Sequence, residues 1–217
     1  DAAERICKRF GIDQVRFTNS GTESTMYAVR VARSATDKMG ILKIEGGYHG
    51  SYDPFVVSSK PPIDKIGKAD KPTPYIDSNL VPGDIYVVPF NNIDALEKMF
   101  KKNAKKLACF IVEPVLENLA IVLPDAGYLE RVRELCDQYN VVLIFDEVKT
   151  GLTAGAHGAS MRLGVKPDLI TLAKSIGGGL PLAAFGGKKK YMDFVTNNKM
   201  AHFGTFNGNP LAMEIGR

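Results

Sequence analysis

The stretch DLITLAKSIGGGLPLAAFGG, residues 168–187, contains two apolar runs separated by a short glycine-rich link. We interpret residues 169–173 and 182–186 as β-strands. The link SIGGGLP is too short for the crossover of a dozen or more residues that joins parallel strands, so this pair is predicted to be antiparallel. A single lysine, Lys174, stands where the first run ends.

Short apolar runs alternate with longer helical patterns in the rest of the chain. Wholly apolar strands separated by helices are typical of a parallel sheet covered on both faces. The predicted fold class is therefore α/β, a mainly parallel open sheet with one antiparallel strand and helices on both faces. Further strands are predicted at residues 14–17, 41–45, 86–88, 107–112 and 141–145, and helices at residues 1–11, 22–37, 93–102, 127–139 and 191–197 and from near Asn209.

The composition excludes several classes of protein. Hydrophobic content of 45% and charged content of 24% are ordinary for a globular domain. The run KKNAKK, residues 101–106, follows an amphipathic pattern and is interpreted as a solvated helix end, so no nucleic-acid partner is expected. No apolar run is long enough to span a bilayer and no signal peptide is visible, so we expect no membrane partner and a cytoplasmic location.

The cysteines and histidines carry no metal-site signature. Cys7, Cys109 and Cys136 are widely spaced and form no CxxC motif, so buried free thiols in a reducing compartment are predicted. The chain has three histidines, which are too scattered for a metal site.

Residues 54–82 interrupt the regular pattern, because this segment is rich in proline and shows little periodicity. We interpret it as a loop inserted within one domain, a lid or substrate loop that is either ordered or mobile. The chain has no initiator methionine and its last residues follow a helical pattern. A fragment of a longer protein is therefore expected.

Polar residues follow most of the predicted strands, and in open α/β sheets ligands bind at this edge. Ser20, Gly21 and Thr22 follow the first strand, Tyr48 and His49 follow the second, and Glu113, Asp146 and Lys174 follow three others. Together these side chains are expected to line one crevice.

Each of these features has a structural and a functional interpretation. Ser20 and Glu23 match a helix-capping box, but the same turn also suits a phosphate, since free N–H groups and a helix dipole meet there. Asp146 could belong to an ion pair or cap, or could be buried to pair with a protonated ring nitrogen. Lys174 could be a surface residue or a nucleophilic amine. A phosphate site, a buried acid and a nucleophilic lysine together match pyridoxal phosphate.

Six motifs then carry a family resemblance: TNSGTES, GGYHGSYD, VEPVLEN, LIFDEVKTG, PDLITLAKSIGGGLPLAAFGG and FGTFNGNPLA. In this order they resemble the class III aminotransferases, which are fold-type-I pyridoxal-phosphate enzymes. The resemblance covers nearly the whole chain except residues 54–82. It implies that residues 1–217 form the cofactor-binding large domain, without the family's N-terminal segment and C-terminal small domain.

The resemblance also implies a role for each site residue. Lys174 binds the cofactor as a Schiff base, and Asp146 pairs with the ring nitrogen. Val148 and Tyr48 pack on the two ring faces, and Tyr48 is expected among the catalytic residues with Lys174 and Asp146. Ser20, Gly21 and Thr22 are expected to bind the phosphate, and His49 is a further expected contact. Glu113 and Asn118 are expected near the phenolic oxygen. Thr205 is expected to reach the phosphate of the neighbouring subunit in a homodimer.

The implied function is transfer of an amino group between an amine or amino acid and a keto or aldehyde acceptor. Alternatives are the intramolecular reaction of a glutamate-1-semialdehyde aminomutase, a decarboxylase, and a pyridoxal-phosphate-binding module without catalysis. Two departures from the family pattern favour the aminotransferase over the aminomutase. Leu152 and Thr153 stand where many relatives have Phe-Arg, and Leu116 and Glu117 are expected to place a bulky acidic pair near the pocket.

Overall fold

The computed structural model describes residues 1–76 and 83–216. Within them a central sheet has the strand order β1-β7-β6-β5-β4-β2-β3. All the predicted strands are present, and their ends are displaced by no more than one residue from the predicted ones. The strands are β1 (Gln14–Thr18), β2 (Gly40–Ile44), β3 (Ile85–Val88), β4 (Leu107–Val112), β5 (Val142–Asp146), β6 (Leu169–Leu172) and β7 (Ala183–Gly187).

The predicted helices are also present, and three short helices were not predicted. The short ones are α3, α6 and α7, which have too few residues to show a helical period in the sequence. The helices are α1 (Ala2–Phe10), α2 (Gly21–Thr36), α3 (Asp53–Val56), α4 (Ile93–Asn103), α5 (Tyr128–Tyr139), α6 (Thr150–Thr153), α7 (Gly158–Leu163), α8 (Lys189–Thr196) and α9 (Pro210–Ile215).

Strand β7 is the antiparallel member of the sheet, as predicted. It pairs antiparallel with β6 on one side and with β1 on the other, while the pairs β6/β5, β5/β4, β4/β2 and β2/β3 are parallel. The link from β6 to β7 begins with a 3-10 turn, and Gly178 and Gly179 then adopt positive φ angles of 56° and 101°. Glycine adopts such angles without a steric penalty, which allows the chain to reverse direction within this short link.

Helices cover both faces of the sheet. Successive strand residues point to opposite sides, so a strand with apolar residues throughout needs a helix layer on each face. In β5, Leu143 and Phe145 belong to the core that packs against α1, α4 and α5, whereas Val142 and Ile144 belong to the core under α2 and α8. The inner strands β4, β5 and β6 are buried on both sides, which explains their largely apolar sequences, whereas the edge strands β1 and β3 are only partly buried. The α/β architecture predicted from the sequence is confirmed.

The proline-rich segment is partly integrated into the fold. Pro54 and Phe55 are buried in α3 and Val57 is buried just after it, so the segment starts as part of the core beside α2. None of residues 54–76 lines the cavity described below. Residues 77–82, the end of the predicted loop, lie outside the described residues, and the lid function stays a prediction.

Cysteine burial agrees with the prediction at two of three positions. Cys109 and Cys136 are buried free thiols, and burial raises the pKa of Cys109 to about 12. Cys7 is also free but only partly buried, because within α1 the buried positions are Ile6 and Phe10. Among the residues that the structure describes, no helix combines the length and the apolar character needed to cross a membrane.

Candidate active site

A cavity of about 290 Å³ opens at the carboxyl edge of the sheet. Its volume lies near the lower end of the range for small-molecule pockets, about 300–1,000 Å³. Segments that follow five strands contribute to it, because parallel strands present their carboxyl ends on one edge. Ten of the predicted site residues line it: Ser20, Gly21, Thr22, Tyr48, His49, Glu113, Asn118, Asp146, Val148 and Lys174.

Asp146 ends β5 as a buried carboxylate with several hydrogen-bond donors. His49 Nδ1 lies 2.8 Å from Asp146 Oδ2. The backbone N–H of Val148 and the hydroxyl of Thr171 each donate to Asp146 Oδ1, both over 3.1 Å. Since a buried carboxylate is costly without partners, these bonds allow Asp146 to remain in the cavity wall. The other ring nitrogen of His49, Nε2, is buried and has no hydrogen-bond partner among the described residues.

Glu113 and Asn118 form a second polar group in the wall. Asn118 Nδ2 donates to Glu113 Oε2 over 3.0 Å, and the backbone N–H of Tyr48 donates to Glu113 Oε1 over 3.3 Å. Burial raises the pKa of the Glu113 carboxyl, and the Asp146 charge raises it further, while His49 and these hydrogen bonds oppose the rise. Glu113 is thus a buried acid whose position also fixes the backbone at Tyr48.

The start of α2 shows that the capping box and an anion site coexist. Ser20 Oγ accepts from the backbone N–H of Glu23, and the Glu23 carboxylate accepts from the backbone N–H of Ser20 and of Asn19. The box therefore engages Asn19, Ser20 and Glu23, and leaves the N–H groups of Gly21 and Thr22 at the positive end of a 16-residue helix. Ser20 therefore caps the helix as predicted, and the cap leaves room for a phosphate site at the same turn.

Gly21 also shapes the cavity by lacking a side chain. A Cβ atom at this position would lie 3.1 Å from a methyl group of Val148 and 3.6 Å from the Cβ of Ala173. These two residues flank Asp146 and Lys174 in the sequence. A side chain at position 21 would therefore narrow the space between the start of α2 and the two charged groups.

Lys174 follows β6 after one intervening residue, Ala173, and begins the 3-10 turn that leads to β7. Its φ angle of 53° is left-handed, a conformation that is uncommon for a residue with a side chain and often found at functional sites. Burial lowers the pKa of the Lys174 amine and the nearby Lys149 charge lowers it further, whereas Asp146, Glu113 and Glu117 raise it. The amine reaches the cavity from an exposed turn and is not buried in the core.

Glu147 has a different role from its neighbour Asp146. Its buried carboxylate accepts from the backbone N–H groups of Ala159 and Ser160 at the start of α7, and from the hydroxyl of Thr150. This carboxylate satisfies the free N–H groups of a short helix, so Glu147 is structural.

Two further residues lie outside the cavity. Thr205 is exposed and does not line it. Its expected role concerns the neighbouring subunit and stays a prediction. The nearby Asn207 accepts a hydrogen bond from Asn19 Nδ2 over 2.8 Å. Leu116 was expected beside the pocket with Glu117, but Leu116 is buried in the core. This expectation is wrong because the chain turns after β4 and directs Leu116 into the apolar layer, while Glu117 stays near the surface.

Two lysines at or near the site were not predicted from the sequence. Lys149 lines the cavity. Lys43 lies within β2 and is completely buried. Its ammonium donates to the carbonyls of Gly47 (2.8 Å), Phe55 (3.2 Å) and Val57 (2.6 Å). Burial lowers the pKa of Lys43 to about 8, against the opposing charges of Glu45 and Glu113. A lysine inside a strand such as GILKI was the available signal, because charged residues are rarely buried without partners.

The cavity just described contains a lysine with a lowered pKa and a buried carboxylate at the carboxyl edge of an α/β sheet. The model of the Aminotransferase class-III family matches residues 1–217. The chain therefore belongs to the class III aminotransferase family.

Individual relatives carry several names. The chain is 45% identical over 207 residues to a glutamate-1-semialdehyde 2,1-aminomutase of Cytophaga hutchinsonii, covering 94% of this chain and 47% of that protein. An omega-transaminase from Sphaerobacter thermophilus has a similar structure, with a TM-score of 0.90, 37% identity and coverage of 99% of this chain and 51% of that chain. A glutamate-1-semialdehyde aminomutase from Pseudomonas aeruginosa in complex with PMP matches with a TM-score of 0.86, 25% identity and coverage of 100% and 49%. The chain spans about half the length of the curated relatives it matches.

Replacement of Lys43 by methionine is expected to loosen the segment that carries Tyr48 and His49. The change removes the donor from three buried carbonyls, each of which then lacks a partner. Amide hydrogen exchange in residues 46–58 should accelerate by about tenfold or more, since local opening becomes easier.

Lys38→Met is the matched control, because Lys38 also donates to two backbone carbonyls, those of Ala104 and Asn140, far along the chain from this segment. It should leave exchange in residues 46–58 unchanged. Equal exchange in that segment for Lys43→Met and the wild type would contradict the assigned role of Lys43.

Proposed function

We propose that this protein transfers an amino group between an amine or amino acid and a keto or aldehyde acceptor, with pyridoxal phosphate as cofactor. The observation that carries the proposal is the cavity itself. It brings the Lys174 amine, the Asp146 carboxylate and the amide groups at the start of α2 to one space of about 290 Å³. These are the three functional groups that the aldehyde, the ring nitrogen and the phosphate of this cofactor require.

The residues present fit the cofactor. Gly21 leaves open the space between the start of α2 and the Val148 and Ala173 side chains. The N–H groups of Gly21 and Thr22 have no strand or cap partner there and are available to bind an anion. We assign the phosphate to Ser20, Gly21 and Thr22, the ring nitrogen to Asp146 and the aldehyde to Lys174. Tyr48, His49, Glu113, Asn118 and Val148 complete the proposed site as the residues that surround the ring.

When bound, pyridoxal phosphate supplies an aldehyde that captures amines and a ring that withdraws electrons from the carbon bearing the amino group. The protein's part is to position and to move protons. Asp146 offers a carboxylate to a ring N–H, and its bonds to His49, Val148 and Thr171 fix its orientation. Such fixed charge stabilises a transition state without reorganisation.

Lys174 is the proposed general base and acid. Because burial lowers the pKa of its amine, a larger fraction is unprotonated near neutral pH than for a solvated lysine. Lys174 Nζ takes the proton from the substrate carbon that bears the amino group, and later returns a proton to complete the transfer. Tyr48 lines the site from the segment that follows β2, and the residue is 38% exposed in the single chain.

A second candidate is the intramolecular reaction of an aminomutase, which the identity to the Cytophaga hutchinsonii enzyme favours. The two departures from the family pattern, which favour the intermolecular reaction, are in contact with each other. Thr153 Oγ1 donates to Glu117 Oε1 over 3.4 Å, and neither residue lines the cavity.

We further propose a homodimer in which Thr205 reaches the phosphate of the neighbouring subunit. Phe203 and Phe206, on either side of Thr205, are 82% and 70% exposed. Burying these rings against a second copy would remove large apolar surfaces from water. A cytoplasmic location is also proposed, and the three free cysteines support it.

Replacement of Lys174 by alanine tests the cofactor assignment. After incubation with pyridoxal phosphate and reduction with borohydride, the wild type should gain the mass of one covalently bound cofactor and Lys174→Ala should not. Transaminase activity should fall by about 10²–10⁴-fold, because the proton-transfer group is lost. Lys105→Ala, which changes an exposed lysine outside the cavity, is the control and should behave as the wild type. A wild type that binds no cofactor would refute the proposal.

Substrate requirements separate the two candidate functions. We expect turnover only when an amino donor and a keto or aldehyde acceptor are both present, because the proposed reaction transfers the amino group between molecules. The measurement is product formation with glutamate 1-semialdehyde alone, and then with a donor and acceptor pair. Rapid formation of 5-aminolevulinate from glutamate 1-semialdehyde alone would favour the aminomutase.

Mixing two impaired variants, at a cofactor concentration that does not saturate Thr205→Ala, tests the role of Thr205. Thr205→Ala should weaken cofactor binding by about tenfold, since one charge-assisted hydrogen bond to phosphate is lost. When Thr205→Ala and Lys174→Ala subunits exchange, one site of each mixed dimer regains both residues, and activity should exceed that of either variant alone. If Thr205 serves the site of its own chain, mixing gives no such gain.

A further inference from the structure

A second lysine, Lys149, lines the cavity and has no role in the function proposed above. It follows Val148 and is the residue before α6, and its side chain is half-buried. Among the described residues, its ammonium has no hydrogen-bond or ion-pair partner. An ammonium without a counter-ion in a pocket wall is available to pair with an anionic group that enters the pocket.

The backbone at Lys149 is fixed from both sides. Val148 N–H donates to Asp146 Oδ1 over 3.1 Å, and Thr153 Oγ1 donates to the carbonyl of Lys149 over 2.6 Å. The same Thr153 hydroxyl approaches Glu117 Oε1 at 3.4 Å. These contacts fix the backbone from which the Lys149 side chain extends, close to Asp146 at the end of β5.

The acidic groups nearest to the cavity are already engaged. Asp146 accepts from His49, Val148 and Thr171, Glu113 accepts from Tyr48 and Asn118, and Glu117 accepts from Thr153. The described lining residues with a positive charge are Lys149 and Lys174. When Lys174 is committed to the cofactor, Lys149 remains as the cation that can bind an anionic group of a substrate.

The two amines influence each other through space. The charge of Lys149 contributes to the lowered pKa of Lys174, which is consistent with both side chains sharing the cavity. An anion beside Lys149 would also be near the amine that moves the substrate proton. This location suits a carboxylate carried by the same molecule as the reacting amino group.

We propose that Lys149 binds the carboxylate of the substrate, so that the protein acts on amino acids and keto or aldehyde acids and discriminates against simple amines. The inference rests on the proposed amino-transfer function and deepens it, because it names the chemical class of substrate and the side chain that selects it. Hydrogen bonds to a charged group typically change affinity by about 10- to 100-fold.

The test is a comparison of two probes by isothermal titration calorimetry on the whole protein loaded with pyridoxal phosphate. Glutarate and glutaramide have the same carbon skeleton, but only glutarate carries carboxylates. The wild type should bind glutarate at least about tenfold more tightly, Lys149→Met should lose this preference, and Lys149→Arg should retain most of it, because arginine also binds carboxylates.

Lys105→Met is the matched control, since it removes one exposed positive charge outside the cavity and should keep the preference of the wild type. The visible absorbance of bound cofactor and the unfolding midpoint report that each variant is folded and loaded. A wild type without the preference, or a Lys149→Met variant that keeps it, overturns the inference. A wild type that binds no cofactor covalently in the borohydride experiment would instead refute the proposed function, so the two failures are distinguishable.

Discussion

The buried carboxylate of Asp146 is the constraint on which the cavity depends. An anion at the end of an apolar strand is stable only if donors surround it, and the donors here come from three separate parts of the chain. His49 comes from the segment after β2, Thr171 from β6 and the Val148 N–H from the turn after β5. Satisfying one charge therefore fixes the relative positions of the segments that form the wall.

A buried cation stabilises the same wall from behind. Lys43 reaches out of β2 to three carbonyls in residues 47–57, the segment that includes Tyr48 and His49. This segment runs outside the regular sheet and has no strand partner for most of its length, so side-chain donors substitute for a hydrogen-bond ladder. The segment of residues 47–57 is thus held by two charged side chains. Asp146 bonds to His49, and Lys43 bonds to the carbonyls of Gly47, Phe55 and Val57.

Much of the fold could be read from the sequence, for reasons visible in particular residues. Strands buried on both faces have unbroken apolar sequences, and the polar residue that follows each strand marks the carboxyl edge, which is how Ser20, Asp146 and Lys174 were identified together. The antiparallel β7 followed from the length of its link. The short helices α6 and α7 were missed because their formation depends on tertiary contacts, such as the Glu147 carboxylate that accepts from Ala159 and Ser160. Leu116 was misplaced because a single turn decides whether it faces the core or the pocket.

The sequence by itself determined the order of strands and helices, the direction of β7 and the residue types at the carboxyl edge, since these follow from local apolar periodicity and connection length. It also carried the motifs of the class III aminotransferases. The tertiary structure alone decided which interpretation of each polar residue applies. Ser20 caps a helix beside free amides, Glu147 is structural while Asp146 faces the cavity, Lys43 stabilises a loop, and Lys149 stands unpaired in the described wall. These outcomes depend on partners distant in sequence, because the cost of a buried charge is decided by which donors the fold brings within hydrogen-bond distance.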